Sequence, residues 1–94
     1  MTRPIKERKI LFDPNITYFK PRAVPLSELK SVELRTDELE ALRLCDFKSL
    51  NQTKAAKLMK ISRSTLQRIL TSARRKIAEA LVEGKAIEIK GKFR

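Results

Sequence analysis

Two amphipathic helical patterns in this chain are separated by only three residues, Lys60, Ile61 and Ser62, and so short a connection leaves the helices few ways to pack. Asn51 and Ser62 are residue types whose side chains accept a hydrogen bond from the first turn of a helix. The spacing therefore predicts one helix over Gln52–Met59 and a second beginning at Arg63. In the first, Ala55, Ala56, Leu58 and Met59 form the expected core face, and the small Ala56 lets two steeply crossing backbones approach. Lys60 occupies the turn and Ile61 drops into the core. In the second, Leu66, Ile69, Leu70, Ala73, Ile77, Ala80 and Leu81 fall within an arc of about 120° at 100° per residue. Ser64, Arg68, Thr71 and Arg75 lie opposite, with Gln67 at the flank. Gly84 is the expected C-cap, after about 20 residues or roughly 30 Å of helix. Only the first turns of such a helix fit a nucleic-acid groove, so the remainder is expected to pack on the N-terminal arm or on a second subunit.

Charge follows the same division. The net charge of +11 is concentrated in residues 51–76, which hold eight basic side chains and no acid, and in residues 1–22, with six basic and two acidic side chains. Residues 23–50 carry four basic and six acidic groups. Cations clustered on a helical unit and an arm, away from acids, suit an anionic polymer as partner.

Residues 1–25 read as an extended basic arm. Pro4, Pro14, Pro21 and Pro25 break helices, and Arg3, Lys6, Arg8 and Lys9 form a cationic start suited to a DNA backbone or minor groove. A disordered basic tail is the alternative for residues 1–9. Ile10, Leu11, Phe12, Ile16, Tyr18 and Phe19 are expected to pack on the helical core, with Asp13, Pro14 and Asn15 turning between them. The remainder, 26–94, reads as the helical domain with 51–76 as its reading unit. Residues 25–35 are ambiguous between a helical turn and an extended connection. At Thr36 a helix is expected to start, with Thr36 as N-cap and Asp37 and Glu38 in its first turn, running to about Phe47 as a support. The tail, 85–90, alternates like a short strand, to pair with residues 9–12 or across a dimer. The fold class is mainly α: a helix-turn-helix domain with an extended arm and a strand-like tail.

Composition removes several classes of function. With no histidine and a single cysteine, Cys45, the usual zinc ligand sets and an internal disulfide are excluded, and Cys45 reads as an inert core thiol. No catalytic constellation, metal or cofactor site can be assembled from the scattered acids, and there is no glycine-rich phosphate loop. No apolar run approaches the roughly 20 residues of a membrane span, and the start lacks a signal peptide's apolar core, so the expected location is the cytoplasm.

Double-stranded DNA is the expected partner. The N-terminal part of the second helix of a helix-turn-helix supplies base contacts in the major groove, while the preceding helix lies across the backbone. Arg63, Ser64, Gln67 and Arg68 are thus the base-reading candidates, and Gln52, Lys54, Ser62, Thr65, Thr71 and Arg75 the backbone candidates. For Ser62 the alternative is a capping role alone; for Arg74, Arg75 and Lys76 it is a solvated helix face. RNA is less well served, because five aromatics, none in the reading helix, offer little to stack on unpaired bases.

The segments RPIKERKI, FKPRAVPL and the long run from VELRTDELEALRL onward resemble an uncharacterised prokaryotic family of predicted DNA-binding proteins. The helical unit is similar to region four of bacterial sigma factors, carried by ELEALRL at residues 38–44, by Ala55 and Ala56, and by SRSTLQRIL at residues 62–70. The resemblance implies a role in transcription. Docking on RNA polymerase or another protein is the competing expectation. A homodimer through the long last helix or the tail is open, and a sigma-like monomer needs none. In most such units glycine stands at the turn position held here by Lys60, where the backbone often has positive φ. Ala23 likewise stands where the arm is expected to carry glycine.

Overall fold

The computed structural model describes residues 17–91. Strand β1 (Tyr18–Phe19) is followed by a single 3-10 turn (Leu26–Glu28), strand β2 (Ser31–Arg35) and helix α1 (Thr36–Leu42). Helix α1 continues as one π-helical turn (Arg43–Phe47); helices α2 (Gln52–Met59) and α3 (Arg63–Glu83) and strand β3 (Ala86–Lys90) complete the chain. The fold is mainly helical with a small three-stranded sheet.

The sheet has the order β1-β3-β2, with β3 antiparallel to β1 and parallel to β2. A parallel pair needs a long crossover, and here α1, α2 and α3 together supply it. The parallel register sets Val32 beside Ile87 and Leu34 beside Ile89. Side chains alternate across a strand, so Val32 and Leu34 are buried while Ser31, Glu33 and Arg35 are exposed.

Two core regions meet along α3. Ala41 and Leu44 pack with Ala55, Ala56 and Met59 of α2 and with Leu66, Ile69 and Leu70 of α3. Further along, Ala73 packs with Leu34 and Ile89, flanked by Leu39, Leu42, Ile77 and Ile87. The first half of α3 is thus held by helices and the second half by the sheet.

Local signals behave as expected. Asn51 Oδ1 accepts the Lys54 N–H at 2.8 Å, and Ser62 Oγ accepts the Thr65 N–H at 3.2 Å. Gly84 ends α3 at φ 68°, and Lys60 ends α2 in the left-handed region at φ 58°. Ala23 also has positive φ, 69°, as does Ser49 at 60°.

Several expectations are corrected. Residues 25–35 hold both alternatives in succession, a helical turn and then a strand. Thr36 is the first helical residue rather than the cap: Arg35 takes the extended N-cap conformation, and its N–H donates to Glu38 Oε1 at 2.9 Å. The tail is the central strand of a sheet. Strand β3 pairs within the chain on both sides, with Tyr18–Phe19 and with Ser31–Arg35. Strand β1, within residues 1–25, packs on the rest of the chain by pairing with β3. Tyr18 and Phe19 pair by backbone at that edge but leave their side chains largely exposed, Phe19 at 53%. Leu58 and Leu81 are exposed rather than core, Leu58 only partly, at 37%, and Leu81 at 76%. Residues 9–12, Asp13, Pro14, Asn15 and Ile16 lie outside the described residues.

Candidate nucleic-acid interface

Helix α3 carries its core residues on one side, so its polar side chains are turned to solvent by the same periodicity. Ser64, Gln67 and Arg68 are exposed and line one shallow depression together with Thr71, Ser72 and Arg75. From Ser64 to Arg75 this surface runs about 16 Å along the helix, three turns. Three of the four base-reading candidates are thereby brought together with two backbone candidates, Thr71 and Arg75. Arg63, the first residue of α3, is exposed but outside the depression.

At the start of α3, Ser62 Oγ donates to Thr65 Oγ1 at 2.9 Å as well as capping the helix, and it lies 3.2 Å from Ser64 Oγ. Ser62 therefore has the capping role in full. On α2, Lys54 is exposed in the first turn and Gln52 is half-buried beside it. The arm candidates Arg3, Lys6, Arg8 and Lys9 lie outside the described residues.

The cations of residues 51–76 are not equivalent. Arg74 makes a two-pronged ion pair with Asp46, at 2.6 and 3.1 Å, which holds the Asp46 carboxyl below its ordinary value. Lys76 Nζ donates to Glu38 Oε1 at 2.8 Å. Two of the eight positive charges are thus already partnered, and Lys54, Lys57, Lys60, Arg63, Arg68 and Arg75 carry the outward charge.

Glu38 and Glu40 were invisible as buried groups in the sequence. Both are fully buried. Glu40 receives a fork of bonds from Arg43 at 2.8 and 3.0 Å. Glu38 accepts from Ser72 Oγ at 2.6 Å, from Lys76 Nζ and from the Arg35 N–H. Burial pushes its carboxyl up, but these three donors and the Lys76 charge outweigh burial and hold it below its ordinary value. A sequence signal existed only in part: Ser72 and Lys76 are four residues apart and so share a helix face. Cys45 is half-buried, and burial raises its thiol, which suits an unreactive side chain. Among the described residues there is no cluster of potential metal ligands, and no helix is long and apolar enough to cross a membrane.

Fold and surface together define a small, mainly helical protein that displays a cationic helix edge from a sheet-backed core. The chain belongs to the family described as "Protein of unknown function DUF134", which matches residues 1–93. The UPF0251 protein TTE1845 of Caldanaerobacter subterraneus subsp. tengcongensis is 55% identical over 91 residues, covering 97% of this chain and 77% of its own. The UPF0251 protein of Halothermothrix orenii is 50% identical over 91 residues, 97% of this chain and 67% of its own. That of Moorella thermoacetica is 53% identical over 93 residues, 99% of this chain and 62% of its own. No solved structure matches the chain.

Proposed function

We propose that the protein binds double-stranded DNA sequence-specifically, as a transcription regulator of the cytoplasm whose helices α2 and α3 act as a helix-turn-helix similar to sigma region four. The observation that carries this reading is the face of α3 at Ser64, Gln67, Arg68, Thr71 and Arg75, which is exposed, free of acids and opposite the core. A helix about 10–12 Å across matches the major groove, about 12 Å wide. Arg68 is suited to a two-pronged contact with guanine and Gln67 to one with adenine, each worth about 1–3 kcal/mol of discrimination. Lys54 and Lys57 of α2 are suited to phosphates, and the arm's Arg3, Lys6, Arg8 and Lys9 to the backbone or minor groove.

A salt titration against specific and random duplexes tests the reading. With six outward cations, log K falls against log salt with a slope no steeper than about −5.4 from the helical unit, at −0.9 per neutralised phosphate. Equal affinity for every sequence rejects specific reading, and a flat salt response rejects phosphate contact.

A second reading, docking on RNA polymerase or another protein, draws on the exposed apolar residues Phe47, Leu81 and Val82, the last two at 76% and 83% exposure. Polymerase retained by an Arg63→Ala/Arg68→Ala variant supports it, and loss of retention opposes it.

A further inference from the structure

Glu38 sits where the chain leaves β2 and enters α1, and its carboxylate is fully buried. One oxygen, Oε1, accepts from the Arg35 N–H at 2.9 Å and from Lys76 Nζ at 2.8 Å; the other, Oε2, accepts from Ser72 Oγ at 2.6 Å. The carboxylate is thus tied to the β2–α1 junction and to two successive turns of α3. Apolar packing along α3 resists separation of the helices, but alanines and leucines tolerate small slips and rotations. A charged group with three directional donors does not, because a shift of about 1 Å breaks hydrogen bonds that a buried charge needs. Ser72 is also part of the depression formed with Ser64, Gln67, Arg68, Thr71 and Arg75. The lock therefore attaches directly beside the side chains turned outward.

We infer that Glu38, through Ser72 and Lys76, is a positioning residue that fixes the register of α3 against α1, so that the outward side chains of α3 meet base edges in one alignment. This rests on the DNA-reading role of α3. The lock touches no DNA itself. It acts on discrimination, because base contacts need positions held within about 0.5 Å. It acts little on affinity for random duplex, which comes from mobile lysines and arginines meeting phosphates. Lys76, held by Glu38, contributes no phosphate contact.

The test separates positioning from mere stability. Glu38→Gln keeps the volume but removes the charge and leaves the half-buried Lys76 without its partner, and Glu38→Met/Lys76→Met replaces the whole pair with apolar side chains of similar length. Thermal melts are measured beside binding to the preferred duplex and to random duplex. The expected result is a melting temperature lowered in Glu38→Gln and partly regained in the double variant, where the Arg35 N–H and Ser72 Oγ still lack their acceptor. Discrimination falls about tenfold or more in both, while random-duplex affinity and salt slope stay near wild type. Discrimination that returns with stability in the double variant overturns the inference.

A DNA-free arm uses spin labels on cysteines at the exposed positions 48 and 82, in a Cys45→Ala background. The distance distribution should be narrow with Glu38 and Lys76 present and broader in the double variant; equal widths overturn the lock. Wild-type protein that binds all duplexes alike overturns the reading role of α3 instead, and the spin-label widths then decide the lock alone.

Discussion

Replacing Lys60 with glycine should stabilise the protein. Lys60 ends α2 at φ 58° and ψ 44°, and its N–H is committed to the carbonyls of Ala56 and Lys57. The next N–H, of Ile61, bonds the Ala56 carbonyl at 3.0 Å, so the left-handed conformation is part of the turn and cannot relax away. An L-residue there costs about 1–2 kcal/mol. Glycine removes that cost but gives back about 0.4–1 kcal/mol through a more disordered unfolded chain. The Lys60 side chain is exposed, so its removal forfeits little packing. The net gain is about 0–1.6 kcal/mol and centres near about 0.8 kcal/mol, which for a domain of this size raises the melting temperature by roughly 3–6 °C. Circular-dichroism melts of wild type, Lys60→Gly and Lys60→Ala measure it. Lys60→Ala keeps the backbone strain while deleting the charge, so it should melt close to wild type. A glycine variant that melts no higher than the alanine variant refutes the account of the turn.

Lys54→Ala should make the salt slope of DNA binding shallower by about 0.9, whereas Arg74→Ala leaves it unchanged because Asp46 already neutralises that charge; equal changes in the two variants contradict the sorting of cations. Leu66→Ala, at a fully buried position between three helices, should cost about 2–5 kcal/mol in urea denaturation, and a loss under 1 kcal/mol would show that the helical core is elsewhere. In acid, the carboxyls of Glu38, Asp46 and Glu79 are all held below their ordinary values. Their contribution is present above those ordinary values, about 4 for carboxylates, and is lost as pH falls through the lowered ones. Glu38→Gln should therefore flatten the acid limb of a stability–pH curve; an unchanged limb contradicts the network.

What could be read from the sequence was local. The caps at Asn51 and Ser62, the glycine ending α3 and the strained Lys60 each depend on a few neighbouring residues, so residue type was enough. Ser64, Gln67 and Arg68 come together for the same reason, since helical spacing alone puts them on one side. The parallel pairing of β2 with β3 joins residues 55 positions apart (Ser31 with Ala86, for example), and its alternation, Val32 and Leu34, is too short to outweigh a loop. The second half of α3, for which the apolar period alone calls for an arm or a partner, takes its cover from the sheet. Leu81 satisfies the apolar period but lies beyond that cover. Glu38 was hidden differently: a carboxylate in the first turn of a helix is favoured by the helix dipole alone, which gave no reason to look for Ser72 and Lys76, 34 and 38 residues away. The same distance concealed that Arg74 and Lys76 belong to the frame rather than to the outward charge.

Selection of binding sites from a random duplex pool decides whether α3 reads sequence. Wild-type protein should enrich a discrete sequence, and Arg68→Ala should lose that preference while still binding random duplex. A pool that emerges without enrichment, or a preference untouched by the loss of Arg68, contradicts sequence reading by α3.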